Sequence, residues 1–210
     1  VLSMVLVLGL SGFAAHADEA YFGYVYGAET LPKNALEFYQ WTTYREGKGM
    51  GTYKAVDLKS ELEYGITDRF QISGYLNFAY HNMKNLMPHF EDQKPGLEWQ
   101  GAQIALKYNV LSPFKDIFGF AVYLEPGYAQ IDKITGQKLD EIELELKLIF
   151  QKNFLENQLV WALNISPEIE WEKQGTESVR EFILEYSTGL SYRFIPNWFG
   201  GLEMRYHSEY

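Results

Sequence analysis

Acidic side chains recur at every second position in two stretches of this chain. Residues 141–147 place Glu141, Glu143 and Glu145 at this spacing, and residues 57–63 repeat the pattern. Carboxylates gathered on one surface attract cations and repel anions, and they need water because an isolated buried charge is costly. The spacing therefore predicts a wet, acidic surface that favours cationic solutes.

The composition points away from several other chemistries. The 210 residues carry a formal net charge of −10, which disfavours nucleic acid because phosphate binding needs clustered Lys and Arg. There are no cysteines, which excludes disulfides and thiolate metal sites. Beyond the N-terminus, no charge-free apolar stretch approaches the length of a transmembrane helix. We therefore assign no cofactor and no nucleic-acid partner.

Catalytic chemistry has little support in the sequence. After residue 17, histidine occurs only at His81, His89 and His207. His207 and Ser208 are adjacent, and in a regular strand they point to opposite faces, so they cannot form a catalytic pair. His81 and His89 lack a specific metal-ligand spacing. We predict that the protein is not an enzyme, with no catalytic residues and no metal site.

The residues between the acidic positions are apolar, so each acidic stretch has one charged face and one oily face. Residues 55–80 show this most fully, because two alternating arms flank a short turn at 65–69. Successive side chains of a β-strand point to opposite faces. The pattern predicts a long β-hairpin with a different solvent on each side.

The same alternation occurs in nine segments, each followed by a turn and a segment that runs back. The predicted fold class is all-β, an antiparallel up-and-down transmembrane β-barrel with nine visible strands. Because bacterial barrels have an even strand count, we expect ten to twelve strands in the full chain. Alternation alone also allows a water-soluble barrel with the oily face inside.

Aromatic residues mark both ends of the apolar face, as at the two interfaces of a membrane barrel. The predicted membrane girdle consists of Tyr64, Phe70, Tyr80, Tyr108, Phe150, Trp161, Trp171, Phe182, Tyr192 and Trp198. Short connections are predicted at 65–69, 153–157 and 195–197, and mostly longer, more polar ones at 45–53, 81–97, 132–138 and 173–177. The connection at 111–118 departs from this asymmetry, which otherwise matches short periplasmic turns and longer outside loops.

The chain divides into three parts. Residues 1–17 are predicted to be a signal peptide with a truncated basic region, because an apolar run ends in Ala15-His16-Ala17. Residues 18–34 are an N-terminal periplasmic segment or an extra strand. Residues 35–210 are the β-barrel domain, and we expect strands beyond residue 210.

Three stretches carry a resemblance to a known kind of protein. They are residues 63–73 (EYGITDRFQIS), 31–33 (LPK) and 205–210 (RYHSEY). The chain resembles uncharacterised proteobacterial outer-membrane β-barrel families, some grouped with transporters of aromatic-degradation pathways. The resemblance implies a porin-like or transporter-like fold in the bacterial outer membrane, and no particular substrate. The motif at 64–69 is interpreted as turn chemistry, with Gly and Asp easing a tight reversal.

With the apolar face toward lipid, the charged face lines the lumen. The predicted lumen-lining residues are Asp57, Lys59, Glu61, Glu63, Lys107, Glu125, Glu141, Glu143, Glu145, Lys147, Glu168, Glu170, Glu185, Arg193, Glu203 and Arg205. These charges either select cations along a water path or fill a narrow interior as cross-strand ion pairs.

The leading functional hypothesis is an outer-membrane barrel that passes small solutes or cations through an acidic lumen, with outer-membrane lipid as its surroundings. One alternative is a soluble periplasmic β-barrel that binds an apolar ligand. The other is a plugged barrel with a structural or adhesive role through the loop at 81–97.

Overall fold

In the part of the chain that the structure describes, ten strands form one antiparallel sheet. The computed structural model describes the backbone of residues 4–7, 21–48, 51–86, 91–174, 177–196 and 198–210. The strands are β1 (Met4–Val7), β2 (Leu36–Glu46), β3 (Thr52–Thr67), β4 (Phe70–Lys84), β5 (Gln93–Leu111), β6 (Gly119–Ile131), β7 (Lys138–Phe154), β8 (Leu159–Gln174), β9 (Glu177–Ile195) and β10 (Trp198–Glu209). Each strand pairs with its neighbours in chain order. Within these ranges, no helix is long and apolar enough to cross a membrane.

The nine long strands, β2 to β10, form a half-barrel. The prediction of an all-β, antiparallel, up-and-down fold with nine strands in residues 35–210 is confirmed. The short strand β1 pairs with β2 through Met4–Val7, within the segment predicted to be a signal peptide. Residues 8–20 lie outside the described residues, and the signal peptide stays a prediction.

The two faces of the sheet differ sharply. The concave face carries small or polar side chains, among them Gln151 (0% exposed) and Asn164 (1%). The convex face carries large apolar side chains, such as Ile142 (57% exposed) and Leu62 (50%). The period-two alternation of the sequence produces both faces, because consecutive residues of a strand point to opposite sides. The distribution is the reverse of that in a sheet with an oily core.

Residues 21–34 do not supply the extra strand that was one of two expectations for 18–34. The described part of this segment contains no strand and instead crosses the concave face of the half-barrel. Most of its backbone hydrogen bonds go to side chains, and only at its end does the N–H of Asn34 donate to the backbone carbonyl of Gly65 on β3 (2.7 Å). We call residues 21–34 the strap.

Several connections are shorter than predicted, among them those at 45–53 and 65–69, which reduce to 47–51 and 68–69. β4 continues to Lys84 and β5 begins at Gln93, so the connection predicted at 81–97 shrinks to 85–92, of which 87–90 lie outside the described residues. Pro95 is tolerated inside β5 because the ladder is irregular there, between His81 and Met83 of β4. The connection predicted at 173–177 reduces to 175–176, which lessens the predicted length asymmetry between the two ends.

Candidate functional site: the interior of the half-barrel

The strap bonds to side chains on the concave face at several successive strands. Its backbone N–H groups donate to Oδ1 of Asn164 on β8 (from Tyr26, 2.7 Å), to Oε1 of Gln151 on β7 (from Ala28, 2.6 Å) and to Oε1 of Gln71 on β4 (from Leu31, 2.9 Å). Nδ2 of Asn109 on β5 donates to the carbonyl oxygen of Ala28 (2.6 Å). Inward-facing amides thus satisfy backbone groups of a segment that forms no strand.

A single carboxylate holds the beginning of the strap. The oxygens of Glu203 accept hydrogen bonds from the backbone N–H groups of Gly23 (2.8 Å), Tyr24 (2.8 Å) and Val25 (2.7 Å). The Tyr24 hydroxyl donates to Glu185 (2.9 Å). Burial raises the pKa of Tyr24 to about 12, and the Glu185 carboxylate contributes in the same direction.

The far end of the strap rests on the β3–β4 hairpin. Backbone N–H of Lys33 donates to Oδ1 of Asp68 (2.9 Å), in the turn between β3 and β4. A Cβ on Gly65 would lie 2.1 Å from the carbonyl oxygen of Pro32, so only glycine permits this approach. The interpretation of Gly65 as turn chemistry is therefore wrong. Gly65 belongs to β3, and the reversal falls at residues 68–69.

One half of the interior is packed. Between β4 and β7, Tyr75, Tyr123 and Ile149 form a buried cluster with Ala105, Ala121 and the strap residue Ala28. The hydroxyls of Tyr75 and Tyr123 lie 3.2 Å apart, and the Tyr123 hydroxyl also donates to Glu125. The strap residue Tyr26 packs on this cluster, and burial raises its pKa well above the ordinary value. This cluster fills the interior on that side.

The other half of the interior contains a cavity of about 1010 Å³, bounded by the strap and by inward residues of every strand from β2 to β10. Its acidic lining residues are Glu29, Glu37, Glu61, Glu63, Glu125, Glu145, Glu168, Glu185 and Glu203, and its Lys and Arg residues are Lys59, Lys107, Lys147 and Arg205. Aromatic lining comes from Tyr21, Phe22, Tyr24, Tyr26, Tyr39, Trp41 and Phe199. The cavity is acidic and aromatic, which suits a cation better than an anion.

The cations of the interior lie close to aromatic rings. The Lys147 Nζ is 4.5 Å from the ring centre of Tyr26 and 2.9 Å from Oε1 of Glu145. The guanidinium of Arg205 is 4.7 Å from the ring centre of Tyr24, and its Nε is 3.7 Å from Oε2 of Glu185. Lys147 and Arg205 therefore each have a carboxylate and at least one ring as neighbours, and Lys147 has a second ring, that of Tyr123, at 5.5 Å.

Near the first residues of β7 and the last residues of β8, three inward glutamates of β7 pair directly with glutamates of β8. The pairs of this acid ladder are Glu141 with Glu172, Glu143 with Glu170, and Glu145 with Glu168. Oxygens of Glu141, Glu143 and Glu170 lie within 4.8 Å of one another. Like charges directly opposite each other destabilise a sheet. Such acidic groups are common without an ion, and we assign no metal to them.

The β6–β7 connection at 132–137 folds over the half-barrel. The carbonyl oxygen of Lys133 accepts a hydrogen bond from Arg45 (2.6 Å) and lies 3.1 Å from Nε2 of His81. Burial lowers the pKa of the Lys133 ammonium, and the charge of Asp57 opposes this. Arg45 also forms an ion pair with Asp57 at 2.7 Å. His81 is thus a buried structural residue of β4.

The structure places the predicted lumen residues in two groups. The cavity is lined by Lys59, Glu61, Glu63, Lys107, Glu125, Glu145, Lys147, Glu168, Glu185, Glu203 and Arg205. Asp57, Glu141, Glu143 and Glu170 lie elsewhere on the concave face, and Arg193 lies near the β9–β10 turn. The predicted girdle residues lie on the opposite, apolar face. Of these, Tyr64, Tyr108, Trp161, Trp171, Phe182, Tyr192 and Trp198 are exposed and Phe70, Tyr80 and Phe150 are half-buried.

Sequence reasoning missed two sets of site residues. The amides that bind the strap, Gln71, Asn109, Gln151 and Asn164, occupy inward positions without a charge. Inward aromatics such as Trp41 were missed as well. The signal for both sets was their position on the polar side of the alternation, where an uncharged or aromatic residue is unusual.

The fold and the site together define a class: an antiparallel β half-barrel with an apolar convex face and an acidic concave face crossed by a strap. The chain belongs to the family described as "Family of unknown function (DUF6662)", whose model matches residues 14–210. No curated protein and no solved structure matches the chain.

Proposed function

We propose that this protein is a bacterial outer-membrane β-barrel that admits small cationic solutes to an acidic interior. The observation that carries the proposal is the reversal of the two faces. Leucines such as Leu62 and Leu76, 50% and 53% exposed, point outward, while Asp57, Glu61 and Glu125 are buried inside. Lipid outside and water inside is the environment that suits this arrangement.

Strand length and aromatic placement add support. The shortest long strand, β2, has 11 residues and β3 has 16, and a tilted strand crosses the hydrocarbon core with about 9–11 residues. Trp161 lies on the convex face near the β7–β8 turn, and Trp171 lies on that face near the opposite end of β8. Residues of this type prefer membrane interfaces. A charged interior also suits an apolar ligand poorly, which weighs against the soluble barrel.

A half-barrel has two sheet edges, and edges are not tolerated in lipid. Our proposal therefore includes ten to twelve strands in the complete barrel, so that the edges at β2 and β10 are paired. The signal peptide at residues 1–17 is part of the same proposal, because an outer-membrane protein must first be exported.

A second candidate is a barrel closed by its own strap, with a structural role. The packed cluster of Tyr75, Tyr123 and Ile149 under the strap favours it, because this half of the interior has little free volume. The two candidates differ in whether ions pass through the space beside the strap.

The test is refolding of the full-length protein in detergent, followed by planar-bilayer recording under a salt gradient. Resistance to SDS without heating and stable conductance steps with a cation-selective reversal potential would support the proposal. Insertion without conductance would favour the strap-closed barrel. A folded protein that stays in solution without detergent and does not insert would overturn both.

A strap variant sharpens the test. Glu203→Gln weakens the hold on Gly23, Tyr24 and Val25, and we expect it to raise conductance or its fluctuations. Glu156→Gln removes the same charge in the exposed turn between β7 and β8, and it should leave conductance unchanged. Equal effects of both substitutions would mean that general charge, and not the strap, controls the current.

A further inference from the structure

We propose that the cavity beside the strap binds an organic ammonium ion, held by the paired ring and carboxylate of Trp41 and Glu61. This deepens the proposed function and rests on it, because it names the solute class that the acidic interior would admit. Three features of the molecule support it: the cavity, the chain's own cations, and one buried polar atom that has no partner among the described residues.

The cavity has the size of a small-molecule site. Its volume of about 1010 Å³ is at the upper end of the usual range of about 300–1,000 Å³. Nine carboxyl side chains line it, against four Lys and Arg side chains. Carboxylates without a counter-charge in a partly enclosed space are costly, so a bound cation would stabilise this lining.

The chain's own cations show what this lining recognises. Lys147 and Arg205 each lie over a tyrosine ring at 4.5 and 4.7 Å and beside a carboxylate at 2.9 and 3.7 Å. A third cation, the Nζ of Lys59, lies 4.0 Å from the ring centre of Tyr75. Aromatic faces attract nitrogen cations, most strongly where water is excluded.

The β2–β3 wall of the cavity repeats this pairing of ring and carboxylate. The Trp41 indole Nε1–H donates to Oε2 of Glu61 at 3.0 Å, which fixes the carboxylate at the edge of the ring. The Tyr39 ring stacks beside Trp41, with ring centres 6.2 Å apart and planes at 24°. Together they present an extended aromatic surface with a negative charge at its border.

A buried hydroxyl also lines the cavity. Ser191 is 1% exposed, and its Oγ has no hydrogen-bond partner among the described residues. Buried polar atoms in folded proteins are normally satisfied, so an unpartnered one at a cavity wall indicates a polar ligand or water there. The rings favour an organic cation over a bare metal ion, because metal ions prefer an all-oxygen shell.

The test is isothermal titration of the full-length protein in detergent micelles. The probes are choline, its neutral carbon isostere dimethylbutanol, and magnesium chloride. We expect saturable choline binding, at least about tenfold tighter than binding of the isostere, since a desolvated cation–π contact has roughly this size. Magnesium should not compete at equal concentration.

Variants locate the site. Glu61→Gln and Trp41→Leu should each weaken choline binding by about tenfold, and Trp41→Phe should restore most of the affinity because it keeps a ring. The matched control is Glu172→Gln, which removes the same charge from the acid ladder outside the cavity lining. It should leave choline affinity unchanged.

Three outcomes would overturn the inference. They are absence of saturable choline binding, equal binding of choline and its isostere, and equal losses in Glu61→Gln and Glu172→Gln, which would mean diffuse charge attraction only. The titration does not depend on membrane insertion or conductance. If the protein conducts cations but fails the choline test, only this inference is overturned and the proposed function stands. If it binds choline but does not insert into the bilayer, the proposed function is overturned and the binding of an organic ammonium ion stands.

Discussion

The two halves of the interior are built on the same strand alternation and end up with opposite properties. Between β4 and β7, Tyr75, Tyr123, Ile149 and small alanines pack against the strap and leave little free volume. Beside it, glutamate is the commonest inward residue and a cavity of about 1010 Å³ lies open. Neutral amides and rings can bind a backbone or one another, whereas carboxylates repel one another and retain water.

A half-barrel can therefore combine a rigid, packed region with a polar interior. The packed half supplies the buried apolar area, and the strap connects both halves through Asn164, Gln151 and Glu203. The hollow half carries like charges, which are costly in a partly enclosed space without screening by water or cations. Four substitutions test this division, in order of decreasing expected effect.

The packed half should be sensitive to loss of volume. Ile149 is fully buried in the interior cluster, and Ile149→Ala should reduce the free energy of unfolding by about 3 kcal/mol through lost contacts and a new void. Urea titration of the refolded protein, followed by tryptophan fluorescence, measures this. Ile142→Ala, on the convex face of the same strand, is the control and should cost clearly less. Equal losses would mean that the interior is not packed as described.

The contact between the strap and β3 should be sensitive to one methyl group added at Gly65. Gly65→Ala places a Cβ 2.1 Å from the Pro32 carbonyl oxygen, so the strap must shift, at a cost of about 1–3 kcal/mol. We expect faster proteolysis of the strap at Lys33. In the control Gly74→Ala, the new Cβ has no neighbour within 4 Å, and proteolysis should match that of the wild type. An unchanged Gly65→Ala protein would contradict the strap's position.

The acid ladder should gain stability when a like charge is removed. Glu143 faces Glu170 across the strands, so Glu143→Gln should stabilise the fold at neutral pH by up to about 1 kcal/mol. Parallel urea titrations of the variant and the wild type at neutral pH measure it. A destabilised variant at neutral pH would show that these carboxylates hold a counter-ion or an essential hydrogen bond.

The beginning of the strap should respond to alkaline pH. The pKa of Tyr24 is raised to about 12 by burial, against about 10 in an unfolded chain. The folded state therefore keeps the phenol proton longer than the unfolded state, and stability falls as pH rises between about 10 and 12. In Tyr24→Phe this part of the fall should be absent, as measured by unfolding at stepped pH. An identical fall in both proteins would assign it to other groups.

The sequence alone determined the strands and which residues share a face. Alternation with period two is local, since each residue's side is set by its neighbours, so the all-β fold and the separation of charged from apolar positions could be predicted. The prediction from sequence failed where the same local pattern is compatible with two structures. Pro95 and Gly96 suggested a loop, and Gly65 suggested a turn, yet both regions are strand because distant partners pair with them.

The contents of the interior can be seen only in the tertiary structure. The strap meets residues as far away as Glu203, 180 positions from Gly23, and no local pattern encodes such a contact. Only folding shows that Glu145 lines the cavity while Glu143, two residues earlier on the same strand and in the same acid ladder, does not. The physical reason is that side-chain direction is a property of the strand, whereas the neighbours of a side chain depend on strand register and on the path of a segment outside the sheet.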